Sequence, residues 1–149
     1  MSVLVPTTLE AALLALAADP DAHLLAGGTD LMVEVNFGHR RPSSVITVNR
    51  IDELRHWSID LDAAAVRIGS AATYTELMGS EVAALVPALA EAARTVGSPQ
   101  IRNAGTIGGN TCNGVTSADS ASTLHAWEAI VELTGVNGNT TFIVYSLGN

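Results

Sequence analysis

The sequence predicts an α+β protein with two lobes: a small β-α-β lobe, followed by a lobe that combines a mixed or antiparallel sheet with helices. Three observations favour this fold class. Short apolar runs alternate with short helical runs up to residue 56, which is typical of a small parallel or mixed sheet covered by helices. The pattern changes at Trp57, where two short strands follow each other closely enough to form a hairpin. The chain has 149 residues, 48% hydrophobic and 15% charged, a composition that suits a folded domain. We therefore expect lobes over residues 1–56 and 57–149.

The first lobe is expected to follow the order β-α-β-α-β. Thr7 and Glu10 fit a capping box, in which a Thr side chain and a Glu three residues later satisfy backbone amides at the start of a helix. The predicted elements are a short extended segment at Val3–Pro6, a helix from Thr7 to Ala18, a strand at His23–Ala26, a helix at Leu31–Asn36, a strand at Val45–Val48 and a single turn at Ile51–Arg55.

The second lobe begins with the predicted hairpin and continues with helices. Pro87 lies inside the longest helical run, and because a proline costs about 3 kcal/mol in a helix interior, we expect a kink or two helical pieces there. Residues 97–114 have no helical or strand periodicity, which predicts a long irregular functional loop with Ile101 and Ile107 buried. The other predicted elements are strands at Trp57–Ile59 and Ala65–Ile68, a turn from Thr73 to Met78, a helical run at Glu81–Val96, a helix at Ser117–Trp127, a strand at Ile130–Leu133, a type I′ turn at Asn137-Gly138 and a strand at Thr140–Tyr145.

The charge balance excludes some classes of partner. A net charge of −8 arises from 15 acidic and seven basic residues, and all seven basic residues are Arg. This balance argues against nucleic acid, whose binding needs a basic surface. No apolar run reaches the roughly 18 to 20 residues that a membrane span needs, and Met1–Glu10 lacks the basic start of a secretory signal. We therefore expect a cytoplasmic protein with no membrane span and no nucleic-acid partner.

Metal and disulfide chemistry have few candidate residues. Cys112 is the single cysteine, so the chain's own thiols cannot form an internal disulfide, an iron–sulfur cluster or a cysteine-rich zinc site. The four histidines include no pair at helical spacing. We predict that Cys112 packs as a small apolar group and that the chain has no metal site. Redox chemistry would then come from a bound cofactor or from another chain.

A first glycine loop, Gly27-Gly28-Thr29-Asp30, joins a predicted strand to a predicted helix. Backbone amides in such a turn are unpaired, and without side chains in the way they can approach a phosphate or pyrophosphate closely. The alternative is that the two glycines only permit a tight turn. The Asp30 carboxylate would compete with an anion for the start of the helix unless it caps that helix and points away from the ligand.

A second loop, Ile101–Asn110, combines amide and hydroxyl side chains with three glycines, and Thr111-Cys112-Asn113 follows it directly. This mixture suits a flat polar ligand held at its edge; the alternative is a set of buried turns satisfied by the Asn side chains. Arg102 could pair with a phosphate or with an acidic neighbour. Asp119, near the start of the next predicted helix, could accept a ribityl or ribose hydroxyl, or be an ordinary acid at a helix start.

Four blocks of sequence resemble, in order and spacing, the FAD-binding subunit of molybdenum hydroxylases, the xanthine dehydrogenase and carbon monoxide dehydrogenase medium-subunit family. The blocks are Leu25–Leu31, Arg50–Leu54, Ile68–Thr73, and Ile101–Asn110 with Ser117-Ala118-Asp119. Within the last block, Arg-Asn-x-Gly-Thr-Ile-Gly-Gly-Asn is a specific signature. The resemblance covers residues 1 to about 135 and implies a two-lobed FAD-binding fold of the vanillyl-alcohol oxidase type, with FAD extended between the lobes.

The resemblance also implies which residues contact FAD, and it implies no catalytic acid, base or nucleophile. Amides of the first loop would wrap the pyrophosphate. On the side of the second lobe, Thr106, Gly109 and Asn113 would line the cofactor, Ile107 and Gly108 would approach the isoalloxazine, and Asp119 would contact a hydroxyl or the flavin edge. The implied FAD-binding residues are Leu25, Ala26, Gly27, Gly28, Thr29, Asp30, Leu31, Thr106, Ile107, Gly108, Gly109, Asn110, Asn113 and Asp119.

The function that the resemblance implies is electron transfer by an oxidoreductase flavoprotein subunit. In this family a molybdopterin-binding large subunit hydroxylates the substrate, 2Fe–2S clusters in a small subunit carry the electrons, and the flavin passes them to NAD or another acceptor. Family members continue beyond the Asn137-Gly138 turn, so the sequence resembles an N-terminal portion with an incomplete second lobe. Its Phe142–Tyr145 strand is then expected near an open sheet edge. The alternatives are a truncated, flavin-free assembly fragment of the same complex and a self-contained flavin oxidase, which the lack of a candidate base in either loop disfavours.

Overall fold

The first sheet is parallel and is built from the N-terminal part of the chain. The computed structural model describes residues 1–62, 64–113, 120–135 and 143–146. Strands β1 (Ser2–Leu4), β2 (His23–Leu25) and β3 (Ser44–Thr47) lie in the order β1-β3-β2 and are connected through helices α1 (Leu9–Ala18) and α2 (Leu31–Asn36). The predicted β-α-β-α-β order is confirmed, and α2 has the predicted bounds.

Strand β3 forms the buried centre of this sheet. Ile46 stands in register between Leu4 and Leu24; it has no exposed surface, whereas its two neighbours on the edge strands are about half exposed. Helix α1 begins one residue later than the predicted capping box requires. The side chain of Thr8, rather than that of Thr7, accepts the Ala11 amide, so the box of Thr7 and Glu10 is wrong.

The second sheet is antiparallel. Strands β4 (Trp57–Asp60), β5 (Ala65–Ile68), β6 (Ile130–Val131) and β7 (Ile143–Ser146) lie in the order β4-β5-β7-β6. The predicted hairpin of β4 and β5 is confirmed, with Trp57 opposite Ile68. Strand β7 pairs with β5 on one side and with β6 on the other. The strand therefore lies next to the sheet edge, as expected, and the short β6 covers that edge at Ile143 and Val144.

Helices form the rest of the second lobe. They are α3 (Tyr74–Leu77), α4 (Ser80–Leu85), α5 (Pro87–Thr95), α6 (Pro99–Ala104), α7 (Ile107–Asn113) and α8 (Ala121–Ala126). Pro87 is the first residue of α5, a position whose amide has no intrahelical partner, so the predicted division into two helical pieces is confirmed. The main core lies between these helices and β5, and its largest fully buried side chains include Val66, Ile68, Tyr74, Leu77, Leu89 and Ile107.

The stretch predicted to be irregular is helical, which corrects the sequence analysis. The Ser98 hydroxyl accepts the Ile101 amide and starts α6, with Pro99 at its first position. Ile107 is fully buried, as predicted. Ile101 is 38% exposed, so its predicted burial is wrong; the short helix α6 contains no buried residue.

All strands of the first sheet precede residue 56 in the sequence, and all strands of the second sheet follow it. The division into two lobes at that residue stays a prediction. A second small core cluster, formed by Ala12, Ile51, Leu54 and Ala71, links the two parts. The predicted turn at Asn137-Gly138, residues 117–119 of the predicted helix and residues 140–142 of the predicted strand lie outside the described residues. Across the described ranges, no helix has the length and apolarity that a membrane crossing requires.

Candidate functional site

The first glycine loop leaves the parallel sheet directly after β2. The Leu25 carbonyl still accepts the Val48 amide, and the Gly28 carbonyl accepts the Met32 amide as α2 begins. Between these two bonds, in the described part of the chain, the amides from Ala26 through Leu31 donate to no protein group. Gly28 has φ +73°, a left-handed conformation that glycine adopts without strain. The loop therefore presents a run of backbone donors of the kind that binds anions.

Asp30 does not cap α2, although the sequence allowed a capping carboxylate that points away from a bound anion. It occupies the N-cap position of α2, but its side chain makes no capping hydrogen bond. Its carboxylate instead accepts a long hydrogen bond of 3.5 Å from the Thr29 hydroxyl. The predicted cap by Asp30 is therefore wrong, because the residue's backbone is helical and the side chain is held beside its own neighbour.

The two predicted loops meet at Gly27. A Cβ atom at this position would lie 1.9 Å from the Ala104 carbonyl oxygen and 3.0 Å from the Gly105 Cα. Because real Cβ atoms do not approach backbone so closely, only glycine fits here, and the amide row of the first loop is held against the start of the second-loop signature. The predicted convergence of the two loops is a feature of the fold.

The backbone of the second loop is engaged by the protein itself, as in the alternative of buried turns, although its amides donate to carbonyls and a hydroxyl instead of Asn side chains. Thr106 pairs with Thr73 in an isolated antiparallel bridge, and the Ile107 and Gly108 amides donate to the carbonyls of Ala72 and Ser70. The Gly109 amide donates to the Thr106 hydroxyl, which serves as a cap inside the loop. Of the two glycine loops, the first is therefore the one that presents a run of free amides among the described residues.

Burial divides the second-loop candidates into two groups. Thr106, Ile107 and Gly108 are buried, and Ile107 has no exposed surface, so in this structure they form a floor. Gly109 and Asn113 are exposed and lie four residues apart on one side of α7, with Asn110 half-buried beside them. Contacts of these six residues with a cofactor stay predictions, and of the six only Gly109, Asn110 and Asn113 offer substantial surface to a ligand. Asp119 lies outside the described residues.

A buried polar chain reaches Asn110 from the core. The Ser120 hydroxyl donates to the Asn110 side-chain oxygen at 2.7 Å and lies 3.4 Å from the Tyr74 hydroxyl. Ser120 has no exposed surface and Tyr74 has almost none. The sequence analysis missed Ser120. Ser120 lies inside the helix predicted at Ser117–Trp127, and no local pattern indicates that its hydroxyl bonds to Asn110.

Two other polar residues of the second loop have structural roles. Arg102 donates from one guanidinium nitrogen to the carbonyls of Arg94, Val96 and Gly97, at 3.3, 2.8 and 3.0 Å, so it closes the C-terminal end of α5. Its guanidinium binds carbonyls and no acid in the described part of the chain, so the predicted acidic partner is wrong, while pairing with a phosphate stays a prediction. The Asn103 side-chain oxygen accepts the Thr75 hydroxyl at 2.6 Å, which ties α6 to α3. Cys112 is exposed, so its predicted role as a packed apolar group is also wrong.

A separate charged groove of about 410 Å³ lies near Arg55, Trp57 and Glu76. Neither glycine loop lines it, and Arg55 is paired with Glu76 at 2.6 Å, so it offers no free cation to an anion. Burial raises the pKa of Glu76. The Thr73 amide, the Arg55 guanidinium and the Thr73 hydroxyl outweigh that effect and hold the pKa below its ordinary value of 4.5. This cluster is the capping box of α3, which confirms Thr73 as an N-cap.

The donors at the first loop fit one half of a dinucleotide better than the other. A diphosphate is bound by several hydrogen-bond donors, and the unpaired amides of the first loop supply them. A flavin needs an edge of polar side chains and a flat support, which the exposed side of α7 can supply through Asn110 and Asn113. Among the described residues no three His, Cys, Asp or Glu side chains cluster as metal ligands.

Comparisons with known proteins find similar FAD-binding proteins. The family model described as the FAD binding domain in molybdopterin dehydrogenase matches residues 1–146. The xanthine dehydrogenase FAD-binding subunit of Escherichia coli O157:H7 is 40% identical over 132 residues, covering 88% of this chain and 45% of that protein. The nicotinate dehydrogenase FAD-subunit of Eubacterium barkeri is 38% identical over 136 residues, covering 89% of this chain and 45% of that protein.

A solved structure gives the same result at the level of the fold. A carbon monoxide dehydrogenase from Hydrogenophaga pseudoflava superposes with a TM-score of 0.88 at 34% identity, over 97% of this chain and 50% of the matched chain. The α+β fold class is thereby confirmed. The chain spans about half the length of the relatives it matches.

Proposed function

Because this chain belongs to the family of FAD-binding domains in molybdopterin dehydrogenases, we propose that it binds FAD and forms part of the electron-transfer subunit of a molybdenum-containing hydroxylase. The observation that carries the proposal is the row of amides from Ala26 through Leu31, which has no acceptor among the described residues and is held against the second loop by Gly27. Such a row has a clear use only when an anion accepts its hydrogen bonds.

The diphosphate of FAD is the anion that fits. Each hydrogen bond to a charged acceptor contributes roughly 1.5–3 kcal/mol, so two of them account for at least about 3 kcal/mol, or more than a hundredfold in affinity. The net charge of −8 opposes this only weakly, since exposed charges beyond about 8 Å are screened at physiological salt. The local geometry of the donors therefore outweighs the overall charge.

The flavin half would be held by side chains. We propose that Gly109, Asn110 and Asn113 on α7, together with Asp119, contact the flavin and ribityl parts, above the buried floor of Thr106, Ile107 and Gly108. Bound FAD supplies one- and two-electron transfer. The residues of this chain bind, orient and shield the cofactor, and none is proposed as a catalytic acid, base or nucleophile.

The partners follow from the same assignment. We propose a molybdopterin-binding large subunit, a small subunit with 2Fe–2S clusters, and NAD or another molecule as final electron acceptor. Support comes from the family description, which names molybdopterin dehydrogenase, and from the carbon monoxide dehydrogenase to which the fold is similar. A cytoplasmic location stays a prediction.

A ligand series tests the FAD assignment. The purified chain is titrated with FAD and with riboflavin, and flavin fluorescence is followed; ADP, which carries the diphosphate without the flavin, is added as a competitor. We expect FAD to bind near stoichiometry, riboflavin to bind at least a hundredfold more weakly, and ADP to displace FAD. Equal affinity for FAD and riboflavin would contradict the assignment of the first loop to the diphosphate.

One observation favours the second candidate, a flavin-free assembly fragment of the same complex. The amides of Ile107, Gly108 and Gly109 are engaged by Ala72, Ser70 and Thr106, so these three residues offer a ligand no backbone donor. This candidate predicts that the chain co-purifies with a molybdopterin-binding or iron–sulfur subunit. It also predicts that the absorption spectrum of added FAD and the stability of the chain do not change when the two are mixed. A bound flavin band would exclude it.

A further inference from the structure

Ser120 stands immediately before α8, where a serine side chain would ordinarily cap the helix, yet it makes no capping bond. Its backbone has φ −91° and ψ −13°, which is helical rather than extended, so its hydroxyl cannot turn back to the first amides of α8. The hydroxyl has no exposed surface, and a buried hydroxyl needs a partner. It finds that partner on another helix, in the side-chain oxygen of Asn110.

This bond determines what Asn110 can offer a ligand. A carboxamide has one oxygen that accepts and one nitrogen that donates. Ser120 occupies the oxygen at 2.7 Å, and the side-chain nitrogen of Asn110 has no partner among the described residues. Asn110 is half-buried, next to the exposed Gly109 on the accessible side of α7. The side chain is thus fixed with its donor end unused.

We propose that Ser120 is a positioning residue that orients Asn110 as a hydrogen-bond donor to the flavin half of bound FAD. The inference rests on the proposed function, because the ligand is the same. It adds a residue that neither the sequence pattern nor the donor row of the first loop points to. Tyr74, 3.4 Å from the Ser120 hydroxyl, limits the movement of Ser120 on the other side, within the core.

The test uses the full chain and two ligands. Ser120→Ala removes the hydroxyl with little loss of volume, and Asn110→Ala removes the donor itself. We expect Ser120→Ala to weaken FAD binding by about three- to tenfold, the range of one neutral hydrogen bond, and Asn110→Ala to weaken it by at least as much. The affinity for ADP, measured by competition, should stay within about twofold in both variants, because ADP lacks the flavin half.

A double variant separates positioning from a general structural effect. If Ser120 acts through Asn110, then Ser120→Ala in the Asn110→Ala background should change FAD affinity by less than about 1.5-fold. Ser44→Ala removes a buried hydroxyl of β3 that donates to Asp19 and leaves the Ser120–Asn110 bond in place, so its FAD affinity should stay within about twofold of the parent. Urea unfolding of every variant shows that the proteins compared are folded at the titration temperature.

Each remaining outcome decides a different question. Unchanged FAD binding in Ser120→Ala, alongside normal FAD binding by the parent chain, would overturn the positioning role alone. Equal weakening of FAD and ADP, equal weakening by Ser44→Ala, or full additivity in the double variant would also overturn it, since each indicates a general loss of order. Failure of the parent chain to bind FAD would overturn the proposed function and this inference together.

Discussion

Replacing Gly27 by alanine is the most direct perturbation of the contact between the two loops. The new Cβ would lie 1.9 Å from the Ala104 carbonyl oxygen and 2.7 Å from the Ala104 carbonyl carbon. Restoring an ordinary separation of about 3.5 Å requires the loops to move apart by roughly 1.6 Å. Both opposing atoms belong to the backbone and cannot rotate away, so the cost should lie near the upper end of overpacking, about 3 kcal/mol.

The same movement should weaken FAD binding. The amide row would shift away from α7 by more than hydrogen-bond geometry tolerates, and losing two bonds to the diphosphate corresponds to about a hundredfold in affinity. We expect Gly27→Ala to lower the free energy of urea unfolding by about 3 kcal/mol, followed by circular dichroism. The FAD dissociation constant, followed by flavin fluorescence, should rise by about a hundredfold.

Gly38→Ala is the matched control. Gly38 has φ +74°, and a Cβ there would meet nothing within 4 Å, so the substitution carries only the cost of left-handed backbone, about 1–2 kcal/mol. It should leave FAD binding unchanged. If Gly27→Ala unfolds at the same urea concentration as the parent and binds FAD equally well, the loops do not touch in solution and the reasoning is refuted.

Three further predictions concern substitutions of single residues. Gly28→Ala should lose at least as much stability as Gly38→Ala, because their φ angles are alike and the new Cβ would also lie 3.2 Å from the Met32 Cγ. It should weaken FAD about tenfold through the distorted amide row, and equal FAD affinity in the two variants would count against that row. The lowered pKa of Glu76 contributes stability that is present above the unfolded value of 4.5 and is lost as pH falls through the lower folded value, so Glu76→Gln should flatten the loss of stability below pH 4.5 in acid titrations. Arg102→Met should cost about 1–2 kcal/mol in urea unfolding by freeing the carbonyls that end α5, with FAD affinity unchanged; a loss of FAD affinity would instead support Arg102 as a phosphate ligand.

The sequence predicted helix boundaries that depend only on neighbouring residues. Pro87 divides α4 from α5 because a proline at a first helical position loses no intrahelical bond, a rule that needs no tertiary information. Helix α7 escaped prediction because its two glycines oppose helix formation, and α6 escaped it because six residues are too few to show a helical periodicity. In α7 the glycine serves packing rather than flexibility: a Cβ at Gly108 would lie 2.5 Å from the Ser70 Cβ. The partner is 38 residues away in sequence (108 − 70), so no periodicity can reveal it.

The candidate site also has one part that local sequence predicts and another part that depends on residues distant in sequence. The free amides after Leu25 follow from a strand, two glycines and a helix, all of which are local, and the sequence located them. The state of the second loop depends on Ala72 and Ser70, whose carbonyls take the amides that local reasoning left free. Ser120 escaped notice for the same reason, since its hydroxyl serves Asn110, ten residues earlier, instead of its own helix.

Glycine therefore has opposite effects on the backbone donors of the two loops. In the first loop, the absence of side chains keeps backbone donors open, and Gly27 also allows the second loop to approach. In the second loop, glycine allows the backbone to press against Ser70, and this closes its donors. An FAD molecule spanning both loops would then be recognised by main chain at its diphosphate and by side chains at its flavin. Under this proposal, changes in α7 side chains should alter how the flavin is held without altering how the nucleotide is retained, because the proposed diphosphate contacts lie on a separate loop.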